Sequence, residues 1–239
     1  MNSILTGAAM GAALTTAGVY APDIILSQFT FTDFTMLQTF LTAAAGSTWE
    51  GNGKVNGAGE EKKSAETVYE ALGVSRGTMF VGMEAFLVLA IAAAVKFTAA
   101  PAAEARGIPP YFAGLAIAAA QMVSILLRGS LLGASTAFED MGGFLFGVKK
   151  YANVLFSAGV VAGAWLISSL VPALRPVTEV AVSPARAALG GFMIVFGSRM
   201  AGGCTSGHGI SGLSLMSISS FLTAAATFGF GGLAGLLMA

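Results

Sequence analysis

The sequence predicts an all-α integral membrane protein, a compact bundle of spanning helices plus short broken or re-entrant helices, with two weakly related repeats. Three observations carry this. Only 10% of the 239 residues are charged and 55% are hydrophobic, whereas a soluble domain needs about 25% charge to cover its surface. Several apolar stretches approach the roughly 20 residues with which a helix crosses hydrocarbon. Other apolar runs stop early at glycine, serine or proline, and irregular backbone survives at membrane depth only where protein buries it or it lines a cavity.

Composition also excludes functions. Twelve basic and twelve acidic residues give no net charge, so there is no electrostatic footprint for nucleic acid. One cysteine cannot build a disulfide framework within one chain. The opening "MNSILTGAAMG" lacks the positive n-region of a secretory signal and is taken as part of the fold. Basic residues at 54, 62, 63 and 76, at 96 and 106, and at 149 and 150 do not settle the orientation.

In chain order, residues 1–239 read as a single membrane domain. Three segments are long enough to span comfortably, 79–100, 151–171 and 215–239. The last two hold Gly159, Gly163, Gly229, Gly231, Gly232 and Gly235, small residues that let membrane helices pack closely. The runs 3–17, 34–47, 129–134, 141–148 and 186–201 are too short to stand upright across a bilayer. A soluble loop occupies 47–77. Its first half is rich in glycine and asparagine, and its second half reads as one short amphipathic helix with Ser64 at its N-cap and Gly73 at its C-terminal cap. A proline-marked connector follows at 99–111.

Two stretches echo one another. "FLTAAA" occurs at 40–45 and again at 221–226, and "GAALTTAG" (11–18) resembles "GSRMAGGC" (197–204). This sets repeats over approximately 5–46 and 186–230 and places Gly18 opposite Cys204. Short, glycine-interrupted segments in corresponding halves are the sequence pointer to a transporter's binding site.

The second of these segments runs "RMAGGCTSGHGISGLS" (199–214) and contains the chain's only cysteine, Cys204, and its only histidine, His208. Without Cβ atoms, a glycine run lets backbone N–H groups approach a ligand. A helix starting just after the run, capped by Ser211 or Ser214, would add the positive end of its dipole. Such a place suits a small anion held by many neutral donors, because fixed strong cations would trap it. Cys204 is expected as a neutral thiol, since a thiolate would repel an anion. His208 is expected to polarise Cys204 or, when protonated, to bind the anion. Cys-x-x-x-His alone is too sparse for a metal site, and no cofactor is expected.

The residues "GSRMAGGCTSGHGISG", with "GAAMGAALTTAGVYAPDIILSQFTFTDFTMLQTFLTA" at the other end, resemble the YeeE/YedE-like sulfur transport family. The resemblance implies short helices and loops meeting at a narrow centre, where thiosulfate or another small sulfur oxyanion passes by transient hydrogen bonds to thiols. Cys204 matches the family's thiol, with Gly203, Thr205, Ser206, Gly207, His208 and Gly209 around it. Relatives carry further cysteines along the path, and this chain has none. The stretch "LLRGSLLGASTAFEDMGG" (126–143) resembles the family's central loop, placing Gly133 on the path and Ser135 across the constriction from Cys204. Gln28, in the repeat-related loop, is expected to line the site.

Charges inside a membrane need a reason. Arg128 and Arg199 are expected to snorkel or to draw an anion toward the entrance. Glu139 and Asp140 would cap the next short helix or pair with an arginine, Glu84 would face the bundle interior, and Asp23 would cap. The partners expected are a small sulfur oxyanion and the lipid bilayer. The alternative is a membrane-embedded sulfur-transfer protein, with Cys204 carrying a persulfide to a soluble acceptor.

Overall fold

The computed structural model describes residues 2–51, 67–97, 108–130, 137, 140–143, 151–175, 183–204 and 206–238. Nearly all of them are helical, and the described residues contain no strand. The helices are α1 (Asn2–Thr16), α2 (Pro22–Phe29), α3 (Thr35–Gly51), α4 (Val68–Ala71), α5 (Arg76–Phe97), α6 (Pro110–Arg128), α7 (Ala152–Leu170), α8 (Pro184–Met200) and α9 (Ile218–Met238). A π-helical turn, Gly207–Gly212, lies between α8 and α9.

Among the described residues, four helices are long and apolar enough to cross a membrane, Arg76–Lys96, Pro110–Arg128, Ala152–Leu170 and Ile218–Leu237. The chain is a multi-pass integral membrane protein. The sequence predicted three spans, and the fourth, α6, corrects that expectation. Its alanine-rich first half follows a proline-marked connector, and Pro109 and Pro110 start the helix rather than interrupt it. The soluble loop also differs from its reading. Within its described residues the helix is α4, with Thr67 at the N-cap, where the Glu70 carboxylate accepts from the Thr67 N–H at 3.2 Å. Gly73 does close it, in the left-handed region at φ +64. Ser64 lies outside the described residues.

Polarity is arranged inside out. Leu89, Leu126, Trp165, Leu170, Ile194 and Leu237 are exposed, whereas Thr6, Thr39, Ser47, Gln121 and Ser124 are buried. Lipid accounts for the outer layer. Most buried hydroxyls are satisfied within their own helix: Thr15 donates to Gly11 O at 2.9 Å, Thr39 to Thr35 O at 2.9 Å and Ser47 to Ala43 O at 2.7 Å.

Close packing comes from small residues. Gly7 and Gly11 of α1 lie on the backbone of Phe156 and Val160, while Gly159 and Gly163 of α7 lie on the backbone of Ile4 and Ala8. Each helix thus presents two glycines four residues apart to the other's carbonyls, which lets the axes approach. On the other side of the core, α3 packs against α6 and α5. One apolar cluster joins Met10, Ala13, Phe40, Ala43, Ile117, Phe156 and Ile210, and so ties α1, α3, α6 and α7 to the glycine-rich turn. By contrast, α8 has no buried residue.

One order of elements occurs at both ends of the chain. A long helix (α1 or α8), a turn, a short helix (α2 or the π-helical turn), a second turn and another long helix (α3 or α9) follow each other. Left-handed residues fall at corresponding points, Gly18 and Phe31 in the first set, Gly202 and Met216 in the second.

Candidate functional site

The end of α8 sets the position of Cys204. At Gly202 the backbone turns left-handed (φ +78), the Gly202 N–H donates to Arg199 O at 3.3 Å, and the Gly203 N–H donates to Ser198 O at 2.9 Å. These bonds satisfy the last carbonyls of the helix and deliver Gly203 and Cys204 just beyond it. The His208 N–H then donates to Cys204 O at 2.9 Å, and the chain winds directly into the π-helical turn. The sequence placed a helix after the glycine run; instead the run itself is helical. Wide π turns recur at functional sites, and glycine-rich "GHGISG" removes the side chains that would crowd one.

Cys204 is half-buried, and its Sγ lies 3.0 Å from Ser206 Oγ. Gly207 faces the thiol, with a Cβ position 3.7 Å from Sγ. The His208 Nε2 approaches Ala201 O at 3.1 Å; a carbonyl only accepts, so Nε2 carries the hydrogen. The imidazole thus folds back over Gly203, where a Cβ would come 2.7 Å from Cε1 and 2.9 Å from Nδ1. Ser206 meets the thiol, and the histidine braces the approach to the turn.

The far side of the turn packs into the core. Ile210 is fully buried in the core cluster, Gly209 meets Phe40 of α3 at 3.8 Å, and Gly212 lies on the Ser220 side chain of α9. Neither Ser211 nor Ser214 is a cap. Ser214 Oγ donates to Ser211 O at 2.7 Å. Ser211 Oγ donates to Gln121 Oε1 of α6 at 3.0 Å, with both side chains buried. Gln121 was not singled out in the sequence, although an amide between "IAAA" and "MVS" on a spanning helix is the polar outlier that a membrane reading should flag.

The remaining expected residues divide. Gln28 is buried at 5% exposure in α2, and its Nε2 lies 3.4 Å from Met36 Sδ. Met36 sits one helical turn before Phe40 on α3, so Gln28 and Gly209 meet the same face of that helix. Thr205, Gly133, Ser135 and Glu139 lie outside the described residues. Asp140 is buried and helical, as are residues 141–143. Asp23 lies in the first turn of α2, where a carboxylate complements the helix dipole. Glu84 accepts a hydrogen bond from Thr48 of α3, which places it toward the bundle. Arg128, in the last turn of α6, is held against α7. Its Nη2 donates to Asn153 Oδ1 at 3.1 Å and its guanidinium lies 4.6 Å from the Phe156 ring centre, tying α6 to α7. Arg199 is exposed in the last turn of α8, and no charged residue follows it in the chain.

The site therefore offers a thiol, a hydroxyl and glycine backbone with no fixed charge in its own segment. Against this geometry stand the comparisons with known proteins. A model of the family described as sulphur transport matches residues 4–234. Two proteins of Xylella fastidiosa, each called a probable transporter, are similar over 116 residues, 32% identical in strain Temecula1 and 31% in strain 9a5c. In both cases the match covers 48% of this chain and 83% of the relative.

Proposed function

Since the chain belongs to the sulphur transport family and moves sulfur compounds across a membrane as a transporter rather than an enzyme, we propose that its cargo is thiosulfate. In this reading the ion passes the glycine-rich segment at Cys204, exchanging hydration for transient hydrogen bonds from the thiol, the Ser206 hydroxyl and backbone amides of residues 203–209. The observation that supports this best is the half-buried thiol, 3.0 Å from Ser206 and opposite the bare face of Gly207.

Physical chemistry favours neutral donors there. A bare ion entering low dielectric loses tens of kcal/mol of solvation in the Born limit, and each charge-assisted hydrogen bond returns about 1.5–3 kcal/mol. Several donors are needed to lower the barrier, and their individual weakness lets the ion leave. Where relatives would use several thiols, this chain has one. The reading therefore assigns the other steps to hydroxyls and amides, with Ser135 and Gly133 of the central loop and Gln28 of α2 on the path.

The two ends of the chain are read as the two halves of the passage. Matching their left-handed turns sets Gly18 opposite Gly202 and Phe31 opposite Met216. Cys204 then corresponds to Tyr20, a register two residues away from the pairing drawn from sequence.

The test is uptake of radiolabelled thiosulfate by the full chain in proteoliposomes, with sulfite, sulfate and selenium analogues as competitors. Cys204→Ser keeps a hydroxyl donor and should retain weak uptake, while Cys204→Ala should lose more. If thiosulfate stays outside and Cys204 instead acquires a persulfide mass on exposure to a sulfur donor, the transport reading of this site is wrong and sulfur transfer replaces it.

A further inference from the structure

We propose that Gln121 is an inner binding residue for the transported anion, its side-chain N–H pair receiving the anion's oxygens after they pass Cys204 and Ser206. The inference rests on the transport reading above and names a residue that the family resemblance did not supply.

The position of Gln121 is costly. It is fully buried, on the face of a spanning helix otherwise made of Ala113, Gly114, Ile117, Ala118, Ala120 and Ser124. Ser124 satisfies itself by donating to Ser130 O at 2.9 Å. A carboxamide has two donors and an acceptor and cannot fold back on its own helix as a hydroxyl does. Ser211 Oγ donates to Oε1 at 3.0 Å, and this contact takes up the oxygen side of the amide. Nε2 is then left buried with no hydrogen-bond partner. An unmet buried donor is a penalty that a protein keeps for a reason.

Location supplies the reason. Oε1 and Nε2 share one carbon, so the open donor lies within a few ångström of Ser211. Ser211 belongs to the same π-helical turn as Gly207, about one turn further along, and Gly207 is the residue whose bare face meets the Cys204 thiol. The order along the turn is therefore thiol, Gly207, then the Ser211–Gln121 pair, leading from its half-buried edge to its buried side. An uncharged N–H pair suits a small oxyanion at this depth: it offers hydrogen bonds to oxygen without the grip of a cation.

The experiment compares the unaltered full chain with Gln121→Met, which conserves volume, and Gln121→Glu, which replaces the N–H pair with oxygen. Both are measured for the concentration dependence of thiosulfate uptake in proteoliposomes and for thermal unfolding in detergent with and without thiosulfate. Losing hydrogen bonds to an ion should raise the KM of Gln121→Met by about ten- to a hundredfold, with anion-free stability little changed, because the unmet donor goes while Ser211 loses its acceptor. Gln121→Glu should bind more weakly still and should lose stabilisation by thiosulfate. If the unaltered chain transports and Gln121→Met keeps its KM, the donor serves only a buried water or the packing, and the assignment to Gln121 is overturned while the transport reading stands. Lower anion-free stability with unchanged KM overturns the assignment in the same way. Should the Met variant fail to fold, the isosteric Glu variant decides by its KM. If the unaltered chain takes up none of the sulfur anions, the transport reading fails and this proposal falls with it.

Discussion

Gly163→Ala measures how far the bundle depends on backbone contact. A Cβ at Gly163 would stand 2.6 Å from Ala8 Cα and 2.7 Å from the Ala8 carbonyl carbon, where carbon atoms ordinarily sit about 3.5–4.0 Å apart. The obstacle is backbone, which no rotamer change clears, so α1 and α7 must part by roughly 1 Å. A gap of that size forfeits a quarter to a half of each contact's attraction along the interface, and forced overpacking costs about 1–3 kcal/mol. Alanine's helix propensity returns up to about 1 kcal/mol relative to glycine, leaving an expected net loss of about 1–2 kcal/mol. Unfolding of the full chain by titration with a denaturing detergent, followed by tryptophan fluorescence, reads this loss. The control is Gly190→Ala in α8, where an added Cβ meets nothing within 4 Å; it should be neutral or gain up to about 1 kcal/mol. Equal behaviour of the two variants would refute the argument that backbone contact at Gly163 sets the α1–α7 spacing.

Three further outcomes follow from the geometry. Gly202→Ala should cost about 1–2 kcal/mol because the residue is left-handed at φ +78 although space is open around it; the same unfolding assay checks it against Gly197→Ala, which should be nearly silent. Arg128→Ala should cost about 0.5–2 kcal/mol through loss of the Phe156 and Asn153 contacts, and thiosulfate KM in proteoliposomes should be unchanged. Glu84→Gln keeps a partner for Thr48 and should unfold within about 1 kcal/mol of the unaltered chain; a larger loss in the detergent titration would show that the charge itself stabilises the helix pair.

Much of this arrangement was legible. Glycine and hydroxyl residues around one thiol marked the candidate site because nothing in packing requires that combination in an oily chain. The interrupted apolar runs 3–17, 34–47 and 186–201 coincide with α1, α3 and α8, whereas α2 formed in a stretch that read as a loop. Segment α6 escaped because proline at its start reads like a break, although it is as apolar as α7 and α9; its packing against α3 shows why small residues are there. Gln121 escaped for another reason. Its meaning depends on Ser211, ninety residues away, and no local pattern encodes such a meeting. The contacts of Arg128 and His208 were hidden in the same way, because each side chain meets a neighbour that only the folded chain brings near.

A single sulfhydryl also makes the molecule its own reporter. Since no other cysteine competes, a maleimide dye or a spin label added to the unaltered chain attaches at one known point beside the glycine turn. Reagents that cannot cross lipid, applied from one compartment and then the other, would tell from which side that point is open. Repeating the labelling with cargo present would convert a static picture into a record of gate opening and closing.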